Sequence, residues 1–219
     1  MSIENKKTVN VYQNGGAEKY LLNSKVHDEL DTIKAEKKKK NLNDFVLKNL
    51  STLKNGASVF EVGSANGQTA KFIQENGYEV VASDVADAFI CEIDKQGVKT
   101  VKFNILKDEF SSKFDCFYVW RVFVHFTMED LILSLKKMFN ALNDDGILIF
   151  NVMNRETHDV DGEMVDFAGE YYMGEERYYH YFRKEDIDKI VSKIGFKIKS
   201  FHKEGGDEKN KWLVYVLSK

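Results

Sequence analysis

Between residues 57 and 152 short apolar runs alternate with stretches of helical period, and this alternation constrains the fold more than any other feature of the chain. Residues 58–62, 79–83, 98–103, 114–119 and 146–152 read as strands, and 68–76, 86–96 and 128–142 as helices. Strands separated by helices pair in parallel, and a parallel sheet needs helices on both faces. The expected fold is therefore α/β, doubly wound around a mostly parallel sheet. Ahead of it, 17–50 has helical period, with Tyr20, Leu21, Val26, Leu30 and Ile33 on one face, then Leu42, Phe45, Val46 and Leu50. The run Glu36-Lys-Lys-Lys-Lys40 reads as a solvated helix face or connection, and 9–16 as a flexible arm. After Asn154 the alternation stops. An aromatic and acidic insertion covers 154–182, followed by a helix at 184–194 and two strands, 196–201 and 212–217, as a terminal hairpin. The expected organisation is an N-terminal arm and helices over 1–50, serving as a lid, and one domain over 51–219.

Composition narrows the function classes. With 219 residues, 43% of them hydrophobic, one substantial core is expected. A formal charge of -3 gives no global cationic field for nucleic acid or an anionic membrane. Cys91 and Cys116 fit neither a disulfide framework nor a metal clip. No run of 18 apolar residues and no leader-like start is seen, so the expectation is a soluble, cytoplasmic protein, monomer or homodimer, with no bound metal. Proline is absent, which excludes every motif that needs one.

The most informative segment is Glu61-Val-Gly63-Ser64-Ala65-Asn66-Gly67. A strand ends, the chain turns through small residues, and a helix begins, so that the backbone can approach a nucleotide-like ligand. The glycine spacing is not that of the dinucleotide fingerprint, and no Gly-Lys-Ser/Thr comes after it as in a phosphate loop. A carboxylate at the strand end opposes a pyrophosphate and suits an ammonium. Asp84, at the end of the next strand, can accept both hydroxyls of a ribose, and Asn104, at the end of the third, can meet an adenine amine. Each has an ordinary alternative: Glu61 a capped strand end, Asp84 a helix N-cap, Asn104 a turn former. Their joint placement at the carboxyl ends of successive strands favours a ligand crevice.

In this order the segments resemble the class I S-adenosylmethionine-dependent methyltransferases. Glu61-x-Gly63-x-Ala65-x-Gly67 is similar to that family's first motif, with Ala65 replacing its middle glycine; Phe114-Asp115 through His125 resembles the fourth strand and the segment after it, and Leu142 to Gly146 the turn before the fifth, without its usual proline. The resemblance implies a seven-stranded Rossmann-like sheet of order 3-2-1-4-5-7-6 with an antiparallel last strand. It implies S-adenosylmethionine as cofactor and S-adenosylhomocysteine as product. The cofactor-binding set it implies is Glu61, Gly63, Ser64, Ala65, Gly67, Asp84, Val85, Asn104, Ile105 and Trp120. Trp120 has the alternative of packing only.

Methyl transfer from a sulfonium needs orientation more than a protein nucleophile. A general base assists an acceptor of high pKa, and His125 is the candidate, unless it packs on or caps the helix beginning near Met128. Arginine occurs four times, as Arg121, Arg155, Arg177 and Arg183, all in the C-terminal half. Forked hydrogen bonds from some of them to a phosphoryl or carboxylate would select an anionic acceptor, with ion pairing as the plainer use, above all for Arg183. The expected acceptor-binding residues are Tyr12, Arg121, Arg155, Arg177, Tyr178 and His180, with Arg121 and His125 acting catalytically. The expected activity is methylation, at oxygen rather than nitrogen, of a small polar acceptor, anionic or sugar-like. The alternatives are a non-catalytic cofactor-binding or scaffold protein and a nicotinamide-dependent oxidoreductase. Nucleic-acid base methylation is disfavoured, because its signature segments contain proline.

Overall fold

The computed structural model describes residues 1–30, 32–158, 160–165, 175–205 and 211–219, and side chains within these apart from 25–30, 32–35 and 38. The strands are β1 (Ser58–Val62), β2 (Glu79–Asp84), β3 (Thr100–Lys102), β4 (Phe114–Val119), β5 (Leu142–Asn154), β6 (Gly162–Val165), β7 (Arg177–Phe182), β8 (Lys197–Glu204) and β9 (Trp212–Ser218). The α-helices are α1 (Ile3–Val11), α2 (Ala17–Leu30), α3 (Thr32–Leu50), α4 (Gln68–Glu75), α5 (Asp87–Asp94), α6 (Met128–Ala141) and α7 (Lys184–Ile194).

β3, β2, β1, β4 and β5 are parallel neighbours in that order. β9 runs antiparallel along β5 from Ile147 to Met153, and β8 antiparallel to β9. The path β3-β2-β1-β4-β5-β9-β8 is the expected seven-strand order, with the terminal hairpin supplying its last two strands. Side-chain alternation assigns the two faces. Phe60, Phe117 and Val119 face α6 and α7 in one apolar cluster, while Val59, Cys116 and Tyr118 lie with Val46, Leu50 and Ile73 of α3 and α4 in the other.

Two regions differ from expectation. The sheet has nine described strands, because the insertion holds a further antiparallel hairpin, β6–β7. β7 joins the sheet through Met153 and Asn154, on the edge of β5 that β4 pairs only as far as Phe150. Of the segment 9–16 expected to be a flexible arm, 9–11 end helix α1 and Tyr12–Gly16 form a wide helical turn kinked at Asn14 and Gly15, so that α1 lies mostly ahead of it. The apolar face of α1 is weak, and polar bonds fix the helix instead. The Ser2 N–H donates to Asp130 at 3.0 Å, Asn5 Nδ2 to the His125 carbonyl at 3.1 Å, and the Tyr178 N–H to Thr8 Oγ1 at 2.9 Å. Glu36, Lys37, Lys39 and Lys40 run exposed along α3, the solvated helix face expected of that charged run. Asp166, Glu170, Tyr171 and Tyr172 of the insertion lie outside the described residues.

Candidate active site

The turn after β1 is built for close approach. Gly63, Ala65 and Gly67 all have positive φ, at 71°, 48° and 75°. At Gly63 a Cβ would lie 2.3 Å from Val122 Cγ2, so only glycine fits there. The turn is fastened to β2. The Ser64 N–H donates to the Ser83 carbonyl at 2.8 Å, the Ser83 N–H to Ser64 Oγ at 3.1 Å, and the Ala65 N–H to Asp84 Oδ2 at 3.1 Å. Asp84 Oδ1 accepts the N–H groups of Val85 at 2.7 Å and Ala86 at 3.1 Å. Burial raises the Asp84 carboxyl to about 6, against the pull of those three N–H groups. Burial likewise raises Glu61 to about 7. Glu61 Oε2 has no hydrogen-bond partner among the described residues.

Beyond the strand ends lies a cleft open to solvent. Gly63, Asp84, Val85, Asn104 and Ile105 line its sheet side, and Val122, His125 and Phe126 its far wall. Asn5, Thr8, Val9 and Tyr12 roof it. Gln13 Nε2 ties the roof to the rim, donating to the Val85 carbonyl at 3.0 Å. Phe103, Ile105, Val122 and Phe126 make the interior apolar, as a flat base requires. Asn104 Oδ1 accepts the Leu106 N–H at 3.0 Å, so this amide also shapes its own turn.

A hydrogen-bonded chain runs behind the roof. His125, 8% exposed, has Nδ1 at 2.6 Å from the Tyr178 carbonyl and Nε2 at 3.3 Å from Tyr12 Oη. A carbonyl has no proton, so Nδ1 carries the hydrogen and Nε2 accepts from the tyrosine. Arg177 Nη1 donates to Tyr12 Oη at 3.1 Å. Arg177 is 1% exposed, and its guanidinium lies over the rings of Tyr12 at 5.7 Å and Tyr179 at 5.5 Å. Burial pushes the His125 imidazole down to about 3, with the Arg177 charge acting in the same direction and the Tyr178 carbonyl opposing them. His125 is thus a neutral acceptor at physiological pH, and it does not cap α6, whose start is held by Thr127.

Several of the residues expected at the site lie off the cleft. The Trp120 ring packs on Phe45 and stacks on Tyr118, on the α3 face of the sheet. Arg121, at φ 60°, donates its N–H to Asn151 Oδ1 at 2.7 Å and lays its guanidinium over Trp212. Arg155 pairs with Asp161 at 2.9 Å. Tyr178 and His180 alternate away from Arg177 along β7 and bond each other, Oη to Nδ1, at 2.8 Å; only the backbone of Tyr178 reaches His125. Glu61, Ser64, Ala65 and Gly67 support the cleft from beneath the turn rather than line it. Asn5, Thr8, Tyr118 and Asn151 were not anticipated. Asn151 carried a signal, an amide inside the apolar run 147–152.

Fold and crevice together define a class I S-adenosylmethionine-dependent methyltransferase. A family model described as a methyltransferase domain matches residues 34–200, and the chain belongs to that family, an enzyme family with S-adenosylmethionine as methyl donor and S-adenosylhomocysteine as product. Among solved structures it is similar to an S-adenosylmethionine-dependent methyltransferase from Clostridium acetobutylicum, with TM-score 0.69 and 16% identity over 89% of this chain and 96% of that one. It is also similar to the Burkholderia thailandensis 1,6-didemethyltoxoflavin-N1-methyltransferase, solved with 1,6-didemethyltoxoflavin and S-adenosylhomocysteine, with TM-score 0.64 and 17% identity over 93% and 87%. The Synechocystis magnesium protoporphyrin IX methyltransferase, with bound S-adenosylhomocysteine, aligns with TM-score 0.64 and 14% identity over 82% of each chain. None of the curated proteins matches the sequence. No described helix is long and apolar enough to cross a membrane, and the described residues gather no group of three or more His, Cys, Asp or Glu side chains that could hold a metal ion.

Proposed function

We propose that this enzyme methylates an oxygen of a small polar acceptor bearing a carboxylate or phosphoryl group. The observation that carries this reading is Arg177, a guanidinium buried beside the cleft and bonded to Tyr12 at 3.1 Å. A buried guanidinium is costly unless it serves an anion or a fixed network, and its planar fork suits carboxylate or phosphoryl oxygens.

The residues present fit the cofactor. Glu61 keeps a buried carboxylate oxygen that has no partner among the described residues and suits an ammonium, Asp84 stands at the rim for ribose hydroxyls, and the positive φ of Gly63 lets the turn bring its backbone to the cleft. Bound S-adenosylmethionine supplies an electrophilic methyl on a sulfonium, for which alignment provides most of the acceleration. The chain's own contribution is therefore positional. Tyr12 has one lone pair engaged by Arg177 and its proton directed to His125; the second lone pair can accept a hydrogen bond from the hydroxyl of an incoming alcohol and orient its oxygen. His125 acts by fixing Tyr12, since an imidazole pushed down to about 3 is a poor base for a direct role. Helix α1, bonded to Asp130, His125 and Tyr178, excludes water from the roof.

Calorimetric titration with S-adenosylhomocysteine and with NAD is the test of the cofactor reading. Micromolar binding of the first, lost in Asp84→Ala, supports it; silence to the first with a response to NAD overturns it. A screen of carboxylated and phosphorylated alcohols against their neutral counterparts then tests the acceptor class, and equal turnover of the neutral compounds would refute it.

A further inference from the structure

Helix α1 and its C-cap present Asn5, Thr8 and Tyr12 to the cleft, at spacings of three and four residues that set them on one face. All are fastened to one pair of residues, His125 and Tyr178. Asn5 Nδ2 donates to the His125 carbonyl at 3.1 Å, Tyr12 Oη to His125 Nε2 at 3.3 Å, and the Tyr178 N–H to Thr8 Oγ1 at 2.9 Å. The Tyr178 carbonyl in turn holds His125 Nδ1 at 2.6 Å, so the polar tips of the roof gather around a single imidazole.

These bonds decide which atoms are engaged and which are left. A carbonyl only accepts, so the amide nitrogen of Asn5 meets His125, and Oδ1 is turned away from it with no donor among the described residues. A backbone N–H only donates, so Thr8 Oγ1 is the acceptor toward Tyr178, and its own hydrogen finds no acceptor among those residues. Asn5 and Thr8 are each 2% exposed and both line the cleft. Buried polar groups are nearly always paired, and a ligand in the cleft is what can reach these two atoms. One acceptor and one donor match a hydroxyl, which gives one hydrogen bond and takes another. Tyr12 orients the oxygen to be methylated one turn further on, about 6 Å along the axis. A helical tyrosine leans back over the preceding turn, so the two oxygens served are close neighbours.

We propose that Asn5 Oδ1 and the Thr8 hydroxyl form a subsite for a second hydroxyl of the methyl acceptor, which makes the substrate class a vicinal diol carrying an anionic group. This rests on the reading of Arg177 as partner of that anion, and deepens it.

The test uses protein saturated with S-adenosylhomocysteine and two matched pairs of ligands, lactate with glycerate, and propane-1,2-diol 1-phosphate with glycerol 3-phosphate. Each pair keeps its anion and adds one hydroxyl on the adjacent carbon. By calorimetry, the dihydroxy member of the pair that binds should bind about tenfold more tightly. In Thr8→Val that preference should fall to within about twofold, with affinity for the monohydroxy member kept, and Thr8→Ser should restore it. Thr8→Val also takes the acceptor from the Tyr178 N–H and should melt lower, so the ratio of affinities is the measure. Equal affinities within both pairs would overturn the subsite and leave the anion reading standing. So would an equal loss for both members in Thr8→Val, the mark of a residue that only fastens the roof. Protein that binds S-adenosylhomocysteine and neither pair would instead overturn the anion reading, and the subsite with it. If Thr8→Val does not fold, the wild-type ratio decides alone.

Discussion

Along the roof of the cleft the polar side chains bond one another; off the cleft, on the α3 face of the sheet, two buried oxygens have no partner among the described residues. Arg177, Tyr12, His125 and the Tyr178 carbonyl form a continuous chain of hydrogen bonds, whereas Glu61 Oε2 and Tyr118 Oη have no partner among the described residues. A bonded chain is scaffold, and its removal should cost stability whether or not ligand is bound. An unsatisfied buried group costs stability in the free protein.

Glu61→Gln should separate the two regions most sharply. With the carboxylate gone, affinity for S-adenosylhomocysteine should fall about 100-fold, the upper range for a charge-assisted bond. Stability should move the other way, and with pH. Glu61 titrates at about 7 in the folded chain against 4.5 as its ordinary value, so between these limits the folded chain keeps a proton that the unfolded chain has released. Its stabilising contribution is complete below 4.5 and lost as pH rises through 7. The interval is worth on the order of 3 kcal/mol. The variant should therefore match wild type near pH 4 and melt about 6 to 12 °C higher near pH 8. A constant difference across pH would show that Glu61 is not held as described. His125 has the opposite sign: with its folded value near 3 against 6.5, it supports the fold above 6.5 and loses that support as pH falls toward 3.

Tyr12→Phe is set against Tyr118→Phe, whose hydroxyl has no partner among the described residues to lose. Tyr12→Phe removes the donor to His125 Nε2 and one acceptor of Arg177 together, at about 1–3 kcal/mol for each bond lost in a buried site. Melting of the ligand-free protein should fall by about 4 to 24 °C. If the two Tyr→Phe variants melted alike, the contrast between bonded chain and unpaired group would be gone.

Much of the cofactor end was legible in sequence because turn chemistry is local. A strand that ends in Glu61 and turns through Gly63 and Gly67 can do few other things, and Asp84 and Asn104 come at the ends of the next two strands. Tyr118 was not legible: in an apolar strand a tyrosine reads like a phenylalanine, and only the register of β1 with β4 sets it beside Glu61. The acceptor end was hidden for a different reason. α1 has little apolar periodicity, and Asn5 and Thr8 are buried by bonds to His125 and Tyr178, more than a hundred residues away. β7 did carry the period of a strand in Arg177-Tyr-Tyr-His-Tyr-Phe, but its partner is the end of β5, past the expected stop at Val152. His125 looked like a base because only its residue type was visible; its two partners, which define it as a fixed acceptor, come from Tyr12 and Tyr178.

Arg177→Lys is the next smaller step. Lysine keeps the charge and loses the fork, so the acceptor Michaelis constant should rise about tenfold, with S-adenosylhomocysteine affinity within about twofold. Equal turnover would remove the acceptor assignment and leave the cofactor end standing.

Trp120→Phe should do least. Trp120 comes just after the fourth strand, where the family resemblance places a cofactor contact, yet its ring lies against Phe45 at 6.0 Å and on Tyr118 at 5.8 Å. A phenyl ring fills most of that space, and its loss of area touches the α3 interface rather than the cleft. S-adenosylhomocysteine affinity should stay within about twofold, with a loss of about 1 kcal/mol in stability from imperfect repacking. A tenfold loss of affinity would mean that Trp120 reaches the cofactor, and would undo its assignment to the α3 interface.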